Sequence, residues 1–221
     1  MNSAGGLAYD RYRVNGCDEW LMRIGREDAP PILFLPPLFE EMNRTRALIA
    51  AVMRRLAAEG FGCWLPDLPG TGESERALDE CDWGHWAAAL QSCAARFGGR
   101  AVTAAIRGGC LLDDVDAAGR WRLAPVDGAS LIRDLRRAGL VGGPMGGYSL
   151  SPKLHEQVEA ATPPETARVR TARLESDTAL AADVRLQGPG LWRRSEPGSS
   201  SELSAAIASD IASWARTCAA S

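Results

Sequence analysis

The sequence predicts an α/β chain, a three-layer sandwich in which a mainly parallel central sheet is covered by helices on both faces. Two observations predict it. Short apolar runs alternate with stretches of helical period, the pattern of βαβ units. Turns marked by glycine or proline follow those runs, most clearly at 67–74 (DLPGTGES) and 107–110 (RGGC). A length of 221 residues suits a single domain, 1–221, with a sizeable core.

The first strand is read at 32–35 (ILFL), a continuous apolar run between prolines that suits a strand covered on both faces. A helix follows with Leu48, Ile49, Val52, Met53 and Leu56 on one stripe, stopping near Gly60. Residues 62–65 form the next strand, and a Trp-rich helix at 82–97 leads to a strand at 101–106. The segment 107–110 then reads as a sharp turn and the start of a helix. A strand at 121–126 and a helix at 130–138 come next. The glycines of 140–148 predict a loop or small lid, because backbone freedom opposes helix formation there. Strands at 169–174 and 183–186 precede a turn-rich segment, 188–201. A closing helix carries Leu203, Ile207, Ile211 and Trp214 on one face.

Apolar residues make up 46% of the chain and charged residues 24%, ordinary for a soluble globular protein. A net charge of −3 gives no basic surplus for nucleic acid, so none is expected as a partner. No apolar run approaches membrane-spanning length and the first residues lack a signal-peptide pattern, so a cytoplasmic protein without a membrane span is expected. The six cysteines form no C-x-x-C pair; they are expected to be reduced thiols, with no metal or other cofactor.

The run 101–110, AVTAAIRGGC, has the layout of the nucleophile elbow of α/β hydrolases, an apolar strand followed by a glycine-rich turn. Arg107 stands at the nucleophile position. Upstream, 36–43 (PPLFEEMN) occupies the strand-to-helix turn that supplies half of the oxyanion hole in that fold. Glu40 and Glu41 there lie near a helix N-terminus, which favours negative charge by about 0.3 to 1 kcal/mol. That fold also sets this turn beside the elbow, so a carboxylate of Glu40 or Glu41 can meet the Arg107 guanidinium through charge-assisted bonds. Phe39, Asn43 and Gly108 complete the expected ligand-binding set. In 67–74, Gly70 and Gly72 fit positions of positive φ or close backbone approach, for which a tight connection is sufficient reason.

A serine triad needs a base and an acid as well as a nucleophile. His85 lies in the helix before the elbow strand and His155 before the late strands, whereas the base of this fold follows the last strand. Both histidines are therefore read as structural. Cys110 is read as core packing, and Asp177 matches the position of the acid.

The stretch from Leu33 to Ser74, with WRLAPVDG from Trp121, GGYSLSP from Gly146 and LWRRSEPG from Leu191, resembles the second type of exosortase A system-associated hydrolases. Members of that type carry an arginine in a G-L-R-L-G-A elbow, matched here by residues 105–110, with Ala105 in place of the first glycine and Gly108 in place of the second leucine. The resemblance runs from Pro31 to Trp214. It implies an α/β-hydrolase fold, encoded in bacteria beside exopolysaccharide and PEP-CTERM sorting genes; the lid, read from the glycines of 140–148, is minimal.

Two functions are compatible with these residues. One is a hydrolase or acyltransferase acting on an ester, thioester or acylated glycan, with Glu40 or Glu41 activating water and Arg107 stabilising an oxyanion. The other is a pseudo-hydrolase whose cleft holds an anionic ligand or partner through Arg107.

Overall fold

The computed structural model describes residues 6–142, 144–178, 180–194 and 196–220. Its sheet has eight strands: β1 (Leu7–Val14), β2 (Cys17–Ile24), β3 (Pro31–Leu35), β4 (Gly62–Pro66), β5 (Val102–Ile106), β6 (Gly119–Leu123), β7 (Val169–Leu174) and β8 (Val184–Leu186). They lie in the order β1-β2-β4-β3-β5-β6-β7-β8. From β4 to β8 all neighbours are parallel, while β2 runs antiparallel to both β1 and β4.

Five helices cover the sheet: α1 (Glu40–Ala58), α2 (Trp83–Ala95), α3 (Gly128–Gly142), α4 (Pro152–Ala160) and α5 (Ser201–Ala219). Strand alternation divides the core between the two faces. Ile32, Phe34, Cys63 and Leu65 pack with α1 and α5, whereas Leu33, Leu35 and Trp64 pack with α2, α3 and α4. The predicted stripe of α1 is buried in full, as are Leu203, Ile207 and Ile211 of α5.

Four features depart from the sequence reading. The N-terminal hairpin β1–β2 was not foreseen, although Asn15 and Gly16, both at positive φ, are the residues a two-residue hairpin turn requires. No α-helix follows the elbow; residues Arg107–Leu112 form a 3-10 helix. The chain leaves it at Asp113, fully buried and anchored by Thr103 Oγ1 at 2.8 Å and Arg122 Nε at 2.7 Å. The glycine-rich stretch is partly helical, since α3 runs to Gly142, and beyond it Met145, Gly146 and Gly147 turn the chain at positive φ. Finally, α4 follows directly, started by Ser151 as N-cap and Pro152 in the first turn, a signal present in the sequence.

Pairing fixes what matters for function. Leu35 of β3 lies opposite Ala105 of β5, and Ile106 opposite Leu123 of β6. The turns after β3, β5 and β6 therefore emerge side by side at the carboxyl ends of the strands, where open α/β sheets bind ligands.

Candidate functional site

Arg107 leaves β5 in a left-handed conformation, φ 54°, and so does Phe39 in the turn after β3, φ 56°. A side chain at positive φ is strained by roughly 1–3 kcal/mol, and such strain persists where surrounding structure enforces it. Behind Arg107, the backbone of β3 enforces it. A Cβ on Gly109 would lie 2.6 Å from the Leu35 carbonyl oxygen and 2.8 Å from that of Pro36, so only glycine lets the elbow pack this closely.

The Glu41 carboxylate closes the site from the other side. Its Oε1 accepts from Arg107 Nε at 2.8 Å and its Oε2 accepts from the Gly108 backbone N–H at 2.9 Å. In an α/β hydrolase the N–H of the residue after the nucleophile is an oxyanion-hole donor. Here a carboxylate of the chain itself takes that donor. Glu41 is only 6% exposed, and burial pushes its pKa up against the opposing pull of Arg107 and Gly108. A second carboxylate, Asp134 on α3, lies 3.5 Å from Arg107 Nη2, and the guanidinium sits 5.5 Å from the centre of the Trp192 ring.

Of the two adjacent glutamates, only Glu41 pairs with Arg107. Glu40 accepts from Tyr148 OH and Asn43 Nδ2, both at 3.2 Å, and Asn43 also donates to Tyr148 OH at 3.0 Å. This polar cluster ties the first turn of α1 to the segment between α3 and α4. Phe39 is buried with its ring against Trp86 and Tyr148, at 5.9 and 5.3 Å between centroids.

A cavity of about 630 Å³ opens over Arg107, walled by the turn after β3, by α3 and by the Trp192–Arg193 segment. Its charged groups are Arg44, Arg107, Arg133, Arg137 and Arg193 with Glu40, Glu41 and Asp134. Sequence reading did not single out the arginines on α3, since Arg133 and Arg137 one turn apart look like an ordinary solvated face. A smaller cavity of about 320 Å³ shares Leu38 and Phe39 with it and is lined by the 67–73 turn. In that turn Gly70 and Gly72 have positive φ, as expected, and a Cβ on Gly72 would clash with the Asp67 carboxylate.

The remaining candidates lie outside the main cavity. Asp177 follows β7 but is held by Arg173 Nη1 at 3.0 Å, and its backbone carbonyl accepts from Arg185. It does not line the cavity. His85 caps α2 with Asp82, its Nδ1 2.8 Å from Asp82 Oδ1. His155, on α4, lies 3.1 Å from Arg136 Nη2. Cys110 is fully buried and burial raises its thiol pKa, which keeps it inert. Among the described residues no group of three histidines, cysteines or acidic residues is placed to hold a metal ion, and no helix is long and apolar enough to cross a membrane.

No protein-family model matches the chain, and no curated protein matches it. Among solved structures, a haloalkane dehalogenase loop variant from Bradyrhizobium elkanii superposes with a TM-score of 0.63 over 97% of this chain and 98% of its own, at 14% identity. Epoxide hydrolases from Vigna radiata and Mycobacterium thermoresistibile match at 18% and 20% identity with TM-scores of 0.43, covering 55% and 62% of this chain. The chain spans less than half the length of those two, 41% and 45%. The end-to-end superposition, with the strand order above, establishes the α/β-hydrolase fold.

Proposed function

We propose that this protein is a divergent α/β-hydrolase-fold protein of the exosortase A system-associated kind. In this reading it holds an anionic or acylated small molecule, such as an acylated glycan, over Arg107 and forms no acyl-enzyme. The observation that carries it is the Glu41 carboxylate bonded to both Arg107 and the Gly108 N–H. A guanidinium is no nucleophile at neutral pH, and the donor that would stabilise a tetrahedral oxyanion is already taken. The kinship with the exosortase-associated type rests on the sequence motifs around residues 33–74, 105–110 and 121–128. A setting in a bacterial exopolysaccharide system follows from the same resemblance.

A second reading, hydrolysis by water without a covalent intermediate, has one observation behind it. Glu41 is a buried carboxylate of raised pKa in the wall of the cavity, the kind of group that serves as a general base near neutral pH. Turnover would require it to release Arg107 or Gly108.

The test combines a fluorophosphonate probe with a panel of aryl esters, acyl thioesters and acylated oligosaccharides. Binding of a panel member, or its turnover, by a protein that the probe leaves unlabelled supports the reading. Stoichiometric labelling of any serine overturns it, Ser74 and Ser149 included, as does Ser195, which lies outside the described residues.

A further inference from the structure

Resting on the reading of the Arg107 cavity as a ligand site, we propose that its ligand carries a phosphoryl dianion and that Arg133, Arg137 and Arg193 bind it, with Arg107 holding the wall behind. Arg107 is already compensated. Glu41 stands 2.8 Å from its Nε and Asp134 3.5 Å from its Nη2, so two carboxylates face one cation. Arg44 is also engaged, 3.9 Å from Glu40 and donating to the Trp192 carbonyl at 3.1 Å.

The outer arginines are not so committed. Arg133 donates to the Ser130 hydroxyl one turn back at 2.6 Å, a neutral partner. Arg193 is exposed and has no carboxylate partner among the described residues. Among the described residues Arg137 pairs only with Asp134, at 3.8 Å, a carboxylate it shares with Arg107. Over the whole cavity five guanidinium groups face three carboxylates, a surplus of two positive charges concentrated at the mouth.

Two further features favour a doubly charged, oxygen-rich group over a carboxylate. Arg133 and Arg137 are spaced i, i+4, so they project from one face of α3 and repel each other unless an anion lies between them. The N-terminus of α3 itself is already capped, its Ser130 N–H donating to Asp127 Oδ1 at 2.6 Å, so the arginine side chains carry the site. Two other wall groups, Arg44 Nε and Trp192 Nε1, are buried donors with no hydrogen-bond acceptor among the described residues. A phosphoryl group supplies acceptors and charge together, and guanidinium forks match its geometry. The cavity is of a size that takes a sugar phosphate.

Isothermal titration at low salt with diphosphate, glucose 1-phosphate and vesicles containing phosphatidic acid tests this, with acetate and dimethyl phosphate as monoanion controls. The soluble and lipid arms distinguish a free phosphate ester from a lipid headgroup. We expect at least one dianion to bind, and the Arg133→Ala/Arg193→Ala double variant to weaken it tenfold or more. Both residues are exposed, and an unchanged melting temperature verifies folding. Arg96→Ala, at the C-terminal end of α2 where the chain turns into the start of β5, at the opposite end of the strands from the cavity, should leave binding unchanged. Equal weakening by Arg96→Ala would reduce the effect to net charge and overturn the proposal. Binding of a neutral ester in the cavity without any phosphate binding overturns the phosphoryl assignment and leaves the ligand site standing. Binding of neither removes both.

Discussion

Glu41 grips Arg107 by its Nε at 2.8 Å across the gap between the turns after β3 and β5, joining the first turn of α1 to the elbow. The side chains are 9% and 12% exposed, so the pair is nearly out of water. Removing one partner of a buried pair strands the other charge and costs about 3–5 kcal/mol. Arg107→Ala should therefore destabilise the protein by an amount in that range. The double variant Glu41→Ala/Arg107→Ala should lose less than the sum of the single changes, because neither leaves a lone buried charge. Urea unfolding of the four proteins measures the coupling. Strict additivity would mean that the pair does not interact.

The same burial predicts a pH dependence. Desolvation raises the pKa of Glu41, opposed by Arg107 and the Gly108 N–H and assisted by the negative charge of Asp134. Folding thus favours the protonated form. The stability this confers is complete below the unfolded value of about 4.3 and is lost as pH rises through the raised folded value. Glu41→Gln cannot titrate. The melting temperature of the wild type relative to Glu41→Gln should be greatest near pH ~4 and decline toward neutrality. Buried Glu19 and Asp113 and half-buried Asp67 are also shifted upward, but they titrate equally in both proteins. A difference that grows with pH would contradict this.

Much of this frame was legible because local pattern and tertiary need coincide. The apolar runs of β3, β4 and β5 are strands buried on both faces, and the stripe of α1 has one partner layer to face. At the site, adjacency of the two turns followed from strand order, so an Arg107 pair with a neighbouring glutamate could be read. Which glutamate could not. That choice depends on the phase of α1, set by Phe39 at positive φ, and a bulky residue there gives no sequence sign of it. The absence of an elbow helix was hidden for a similar reason, since Asp113 owes its place to Thr103 and Arg122 on two strands. The arginines at the cavity mouth are separated by some sixty residues and meet only in the fold.

Gly109 offers a test of the elbow packing. Its φ is not positive, so any penalty for a larger residue arises from contact alone. A methyl group would press on the carbonyl oxygens of Leu35, the last residue of β3, and of Pro36 just after it, which are tied to the sheet. Gly109→Ala should cost about 1–3 kcal/mol, the range for overpacking. Gly190→Ala, where φ is −74° and a Cβ meets nothing closer than 3.5 Å, carries neither backbone strain nor a clash and should cost less. Guanidinium denaturation of both variants compares the two effects, and a milder loss for Gly109→Ala would refute close packing at the elbow.

The thiols should react in an order set by exposure. All six cysteines are free, and five are buried, with Cys17 the half-buried exception. Burial pushes Cys81 up to about 11 and Cys93 up to about 12, and raises Cys63 and Cys110 as well, which leaves little thiolate at neutral pH. Iodoacetamide should modify Cys17 first in the native protein. Mass spectrometry after unfolding without reductant should then find six labels. Fewer, restored by reductant, would reveal a disulfide.

Restoring a serine at the elbow should not restore a serine hydrolase. Arg107→Ser removes the cation that holds Glu41, leaving its carboxylate free to accept from the new hydroxyl as well as from Gly108. A carboxylate in that place repels a developing oxyanion instead of stabilising it. Adding Glu41→Ala frees the Gly108 donor but supplies no base. His85 is committed to capping α2 and His155 lies on α4 beside Arg136, so neither is placed to take the serine proton. Both variants should stay unlabelled by fluorophosphonate and inactive toward p-nitrophenyl acetate above the uncatalysed rate. Rapid labelling at residue 107 in the double variant would show that a base reaches the elbow after all, and that Glu41 alone had kept the site silent.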